Sequence, residues 1–210
     1  VNSSQTKLSE TDAYYAQISQ IDNLMADPAA GLSPALQEFF KGVQDVAANP
    51  SLLSSRQAMI SSAETLVSRF QSLDTRLDEL NNEVNGRIED NVELINSYAK
   101  QIAELNQRIV IAESSYGQPA NDMLDQRGQL INELNKLIKV TTPSTTNSGR
   151  NVFIGSGQPL VIGMQSMEIT ANPSMADASK VVVGIKTIAG GASIELPDSL
   201  VIGGELGGLV

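Results

Sequence analysis

The sequence has no cysteine, no histidine and no tryptophan. Without cysteine there are no disulfides and no thiolate nucleophile. Without histidine as well, the usual zinc sites, Cys–His pairs and Ser–His–Asp triads are excluded together. Aromatic residues make up only 4% of the chain while 41% is hydrophobic, so the core must be built from Leu, Ile, Val and Ala. Basic residues are scarce too: 14 Lys and Arg stand against 24 Asp and Glu, a net charge of −10. That balance argues against nucleic acid and against an anionic membrane surface as partners. No run of about 18 apolar residues exists to cross a bilayer. The polar start Val1-Asn2-Ser3-Ser4-Gln5 has neither an initiator Met nor a cleavable signal, and it reads as the start of an internal piece of a longer chain.

What the chain does have is a long helical pattern over about residues 52–113. Apolar side chains recur at Leu66, Phe70, Leu73, Leu77, Leu80 and Val84, in alternating steps of four and three. This is the seam of a helix that lies along partner helices. Two further steps of four reach Ile88 and Val92, a stutter that relaxes the supercoil locally. Alternation resumes through Ile95, Ala99 and Ile102 and closes with Leu105 and Ile109. No proline lies between Pro50 and Pro119, and within 52–113 Gly86 is the only glycine. From Leu66 to Ile109 such a helix spans roughly 65 Å at 1.5 Å per residue, too long for a compact globule of this size. The expectation is therefore a rod.

Three more helices are expected. The first runs from Ser9 to Met25, with residues 1–7 frayed, Ser9 as N-cap and Tyr14, Ile18, Ile21 and Met25 on one face. Asp27–Gly31 is a turn. Ser33-Pro34 opens a second helix carrying Leu36, Phe39, Phe40, Val43, Val46 and Ala47, which Asn49-Pro50 ends. After a loop at Ser114–Pro119, a fourth helix covers Pro119–Val140. From Thr141 the pattern changes: a turn-rich stretch to Gly149 precedes β-rich runs at 152–154, 160–162, 167–170, 181–185, 193–196 and 200–202. The expected fold class is α+β, mainly α: an elongated antiparallel helical bundle with one very long helix (residues 1–140) and a small antiparallel β unit with a glycine-rich end (141–210).

Few motifs point to chemistry. Asp122 and Asp125 sit three apart on one helix, but Asp122 belongs to the first turn, where the helix dipole favours an acid. Asp125 and Arg127 are expected to form an ion pair within the chain. Gly155-Ser156-Gly157 lacks the third glycine and the following helix of a dinucleotide loop, and reads as a β-turn. Gly203-Gly204 and Gly207-Gly208 fit either close backbone packing or a flexible end. No catalytic residue, metal ligand or cofactor site is expected.

Several blocks resemble flagellar axial proteins of the hook–filament junction. They are Phe39–Pro50 followed by Arg56-Gln57, the segment Gln118–Leu130 with Asn121, Asp122, Leu124, Asp125 and Arg127, the block Val152–Val161 with Gly155, Gly157, Gln158 and Pro159, and Gly203–Leu209. Met123 and Gly128 depart from the family pattern. In this order they are similar to the family of the first hook-associated protein, the FlgK type. The resemblance implies a non-enzymatic adaptor ring between hook and filament. Its partners would be lateral neighbours of the same kind, the hook protein, other hook-associated proteins and an export chaperone. It further implies an extracellular place on the bacterial flagellum, reached by flagellar type III export without a cleaved signal. The alternatives are a flagellin-like or other hook-associated axial subunit, or a coiled-coil binding module.

Overall fold

The computed structural model describes residues 3–26, 31–116, 120–143, 149–186 and 191–210. The expected turn at Asp27–Gly31, the break at Gly117–Pro119 and the middle of the 141–149 stretch lie largely outside these residues. Four helices come first: α1 (Ser3–Ala26), α2 (Leu32–Ala48), α3 (Leu53–Tyr116) and α4 (Asn121–Leu137). Seven short strands follow: β1 (Val140–Thr141), β2 (Val152–Ile154), β3 (Gln158–Ile162), β4 (Gln165–Ser166), β5 (Glu168–Pro173), β6 (Val181–Lys186) and β7 (Ile194–Glu195). A 3-10 turn at Asp198–Leu200 leads to a final short helix, α5 (Gly204–Leu209). The architecture is mainly α with two small antiparallel sheets, ordered β1-β2-β3-β4 and β5-β6-β7.

The chain condenses into two compact units, and the division differs from the expected break at 140/141, which falls inside β1. One unit comprises Val1–Tyr15 with Glu83–Val210, the other Ala16–Asn82. Both α1 and α3 contribute to each.

In the smaller unit, α2 meets α3 at Gly42. A Cβ there would lie 3.2 Å from the Met59 Cα and 3.1 Å from the Ser62 hydroxyl, so the helices approach at a residue without a side chain. Asn49 caps α2 through its N–H to the Asp45 carbonyl. Arg56 then reaches back, and its Nε donates to the Pro50 carbonyl at 2.9 Å. The α3 seam is only half covered here: Phe70 is 51% and Leu77 49% exposed. The apolar face expected on the first helix is likewise exposed at Tyr14, Ile18, Ile21 and Met25.

The larger unit holds the core. The same α3 seam from Ile88 to Ile109 is buried, with Ile95, Ala99, Ile102 and Ile109 fully so. Its part from Ile88 to Ile102 packs in one apolar cluster with Ile131 and Leu134 of α4, with Ile138 just beyond that helix and with inward residues of both sheets. Period-2 burial is weak in β6, whose residues Val181–Ile185 are all buried, as in a strand covered on both faces.

Several element bounds differ from expectation for local reasons. α1 begins at Ser3, so Ser9 is inside the helix and not its cap; Thr6 is 4% exposed, and its burial orders the expected frayed turn. α2 starts one residue before Ser33, with Gly31 at the N-cap and no side-chain cap bond. α3 runs on through Ser114 and Ser115 to Tyr116. α4 stops at Leu137, because Ile138 is extended and Val140 pairs with Ile154 in β1. The expected strand at 200–202 is absent; Pro197-Asp198-Ser199, a turn-forming sequence, makes a 3-10 turn instead.

Candidate functional site

With no reactive constellation in the sequence, the candidate site is the set of positions where α3, α4 and the glycine-rich end are locked onto the sheets. Each is built on α3 or on a glycine.

Three asparagines of α3 reach backbone of the β region. The Asn85 Nδ2 donates to the Ser179 carbonyl at 2.7 Å, and its Oδ1 accepts from the Val181 N–H at 3.0 Å. The Asn96 Nδ2 donates to the Ile169 carbonyl at 2.8 Å, and its Oδ1 accepts from the Ile169 N–H at 2.9 Å. A carboxamide offers a donor and an acceptor side by side, the same pair that a neighbouring strand presents. Asn96 thus stands in for a strand along β5, covering an edge that would otherwise offer unpaired groups. Asn85 and Asn96 are eleven residues apart, which returns a helix to within about 20° of the same face. One ridge of α3 can therefore carry both clamps.

Asn106, fully buried, is the densest of the three. It donates to the carbonyls of Arg150 (2.9 Å) and Gly163 (2.6 Å) and accepts from the Arg150 N–H (3.2 Å). It also accepts from Arg127 Nη1 of α4 at 2.7 Å. Arg127 is 6% exposed. Burial, and after it the nearby Arg150, lowers its pKa from the usual arginine value, while Glu113 acts the other way.

The expected Asp125–Arg127 ion pair does not form. Residues two apart on a helix point away from each other, so Arg127 turns inward to Asn106 while Asp125 is exposed. Asn121 and Asp122 are exposed at the start of α4, with Asp122 in its first turn as expected, and Leu124 is half-buried. The segment expected as one motif is therefore divided by helix geometry, with a single buried member, Arg127, and exposed acids.

Gly155-Ser156-Gly157 forms the turn of the β2–β3 hairpin. Gly155 has φ +57 and Gly157 φ +123. A Cβ on Gly155 would run into the Leu200 carbonyl, and its N–H donates to the Lys139 carbonyl at 3.0 Å. The Lys139 N–H in turn donates to Ile202 at 3.2 Å. Lys139, two residues past α4, thereby ties the hairpin to the chain leading into α5. Gln158 pairs with Ile154 and Pro159 with Phe153, beside a register shift at Val152/Phe153; a bulge is where a strand tolerates proline.

The glycine-rich end packs closely. A side chain at Gly204 would collide with the Leu137–Ile138 peptide, and one at Gly208 with the Glu10 carbonyl and Ala13. At Gly203 it would lie 2.6 Å from Thr6 and 2.9 Å from Lys139, and at Gly207 2.9 Å from Ile202. α5 is thereby seated against α1 and the end of α4. Leu206 is fully buried, and Glu205 pairs with Arg87 of α3 at 2.7 Å.

A groove of about 660 Å³ between α3 and α4 is lined by Tyr98, Leu105, Arg108, Gln129, Leu130 and Glu133 among others. Asp122 and Asp125 do not line it. Sequence reasoning passed over Asn85, Asn96 and Asn106, because an asparagine in a long helix reads as solvated. The available signal was position: Asn106 directly follows the seam residue Leu105.

Taken together, the long seam-bearing helix, the two small sheets and the glycine-docked end define a mainly helical fold built along one long helix. The comparisons place it more narrowly. The family model of the "Flagellar hook-associated protein FlgK helical domain" matches residues 18–210, and the chain belongs to that family. It is similar to the flagellar hook-associated protein 1 of Salmonella typhimurium, 38% identical over 197 residues, covering 93% of this chain and 35% of that one. The Escherichia coli K12 protein of the same name is 35% identical over 211 residues, covering 100% of this chain and 38% of its own. Among solved structures, the flagellar hook junction protein FlgK from Burkholderia pseudomallei superposes with a TM-score of 0.90 at 36% identity, over 99% of this chain and 37% of that one. The chain thus spans little more than a third of the length of the relatives it matches.

Proposed function

We propose that this chain is the helical portion of a structural axial protein that joins hook to filament in the bacterial flagellum. The family match over residues 18–210 carries the reading. A second feature supports it: the α3 seam is covered from Ile88 onward but half open at Phe70 and Leu77, as suits a subunit that completes its packing in an assembly. The role is mechanical and non-catalytic. The partners are lateral copies, which on a tube meet flank to opposite flank, together with the hook protein, other hook-associated proteins and, before assembly, an export chaperone. The place is outside the cell, reached by flagellar type III export without a cleaved signal. Arg127, Gly155, Gly203, Gly204, Gly207 and Gly208 hold the scaffold's shape. Asn121, Asp122 and Asp125, at the exposed start of α4, are the members of the motif set open to a neighbour.

Immunogold electron microscopy of isolated flagella, with antibody raised against this chain, tests the proposal. A single labelled band where hook meets filament is expected. Label along the whole filament would make it a flagellin-like subunit, and unlabelled flagella would overturn the axial reading altogether.

A further inference from the structure

The sequence contains a single Asn-Gly dipeptide, Asn85-Gly86, inside α3. Gly86 has no structural requirement to be glycine. A Cβ there would meet nothing within 4 Å, and its φ is not in the left-handed region. Glycine in a helix interior is the less stable choice against alanine. What glycine does uniquely provide is an unhindered backbone nitrogen directly after an asparagine.

We propose that Asn85 is a site of spontaneous deamidation, shut in the folded chain and open in the unfolded one. The Gly86 backbone nitrogen, giving up its proton, attacks the Asn85 Cγ and closes a five-membered succinimide, and the side-chain nitrogen leaves as ammonia. Water then adds to one of the two ring carbonyls and breaks the adjoining C–N bond. The products are aspartate or isoaspartate at position 85, and the net change is one water consumed and one ammonia released.

Folding blocks the attack at both reacting groups. The carboxamide is held on one side by the Val181 N–H and on the other by the Ser179 carbonyl, at 3.0 and 2.7 Å. The Gly86 nitrogen lies inside the helix ladder, where helical geometry keeps it from the face of its neighbour's Cγ. Reaction requires both the clamp and the local helix to open. The product cannot remake the clamp: a carboxylate has no N–H for Ser179 and would set oxygen against oxygen, and isoaspartate lengthens the main chain within the helix. Time spent unfolded is thereby recorded irreversibly at the contact that seats the β5–β6 hairpin on α3.

The full chain, incubated in mildly alkaline buffer with and without denaturant, is digested and read by mass spectrometry for conversion at Asn85, with isoaspartate separated chromatographically. Conversion is expected to be at least about tenfold slower in the native chain, because only locally opened molecules react. In denaturant, Gly86→Ala is expected to slow it severalfold, since the methyl group hinders the nitrogen. In native buffer, Asn85→Asp is expected to raise hydrogen exchange at the Val181 amide while Gly86→Ala leaves it unchanged. Equal conversion with and without denaturant would overturn the guarding role. An unchanged rate for Gly86→Ala in denaturant would overturn the role given to glycine.

Discussion

Asn106→Leu should be the most damaging single change in the larger unit. The side chain is fully buried and makes four hydrogen bonds, one to Arg127, two to Arg150 backbone and one to Gly163. Leucine fills similar space but leaves the buried Arg127 guanidinium and the part-buried backbone groups of Arg150 and Gly163 to find other partners. At a net ~1 kcal/mol for each bond, with a further penalty for buried groups left unpaired, the loss is about 3–5 kcal/mol. For a chain of this size that corresponds to a fall of roughly 10 °C in the melting temperature of the transition concerned. Because the chain forms two compact units, one transition cannot be assumed. Scanning calorimetry should be paired with hydrogen exchange at Arg150 and Gly163. A double-mutant cycle supplies the sharper test. Arg127→Met alone removes the charged donor while Asn106 keeps its backbone bonds. The double variant should be less damaging than the sum of the singles by ~1–2 kcal/mol, the coupling expected of directly bonded residues. Additivity to within about 0.3 kcal/mol would refute the claim that the two residues act as one junction.

Gly208→Ala should unseat α5 from α1 at a cost of about 1–3 kcal/mol, whereas Gly128→Ala, where a Cβ meets nothing within 4 Å, should stabilise by up to about 1 kcal/mol; urea unfolding of both separates docking from helix propensity. Asn96→Ala should raise hydrogen exchange at the Ile169 amide first, with a stability loss of ~1–2 kcal/mol, and equal protection along β5 in the variant would argue against edge capping. Asn91→Leu should be neutral or stabilising by about 1 kcal/mol, because its buried Oδ1 has no hydrogen-bond partner among the described residues; a clear loss in thermal unfolding would reveal one. The Asp177 carboxylate accepts from the Ser179 hydroxyl and N–H, which holds its pKa below the ordinary aspartate value. Since the folded pKa is depressed, the turn is favoured above the unfolded value and loosens as pH falls through the folded one. An NMR titration should find Asp177 low and Ser179→Ala should bring it back up.

What could be read from the residues alone was whatever depends on near neighbours in the chain. Three-four spacing without proline is a local property, so the long helix was legible to within a few residues, and so was the β2 strand at Val152–Ile154. The glycines of the β2–β3 turn were legible for the same reason: positive φ is a local demand. The absence of Cys and His, and the order of the motif blocks, were likewise present before any fold. Tertiary structure decided what depends on distant partners. It left the seam half open at Phe70 and buried it at Ile102, although the pattern is the same at both. It turned Arg127 toward Asn106 and away from Asp125, drew Val140 out of a helix into β1, and resolved the glycine-rich end into a docked helix with no room for side chains at Gly208, beside Glu10, or at Gly204, beside the Leu137–Ile138 peptide. It gave three asparagines of a helix distant backbone to hold, and gave one of them, Asn96, the work of a neighbouring strand. A carboxamide's value is set by the unpaired backbone it faces, and in this chain that backbone lies 44 to 96 residues further along.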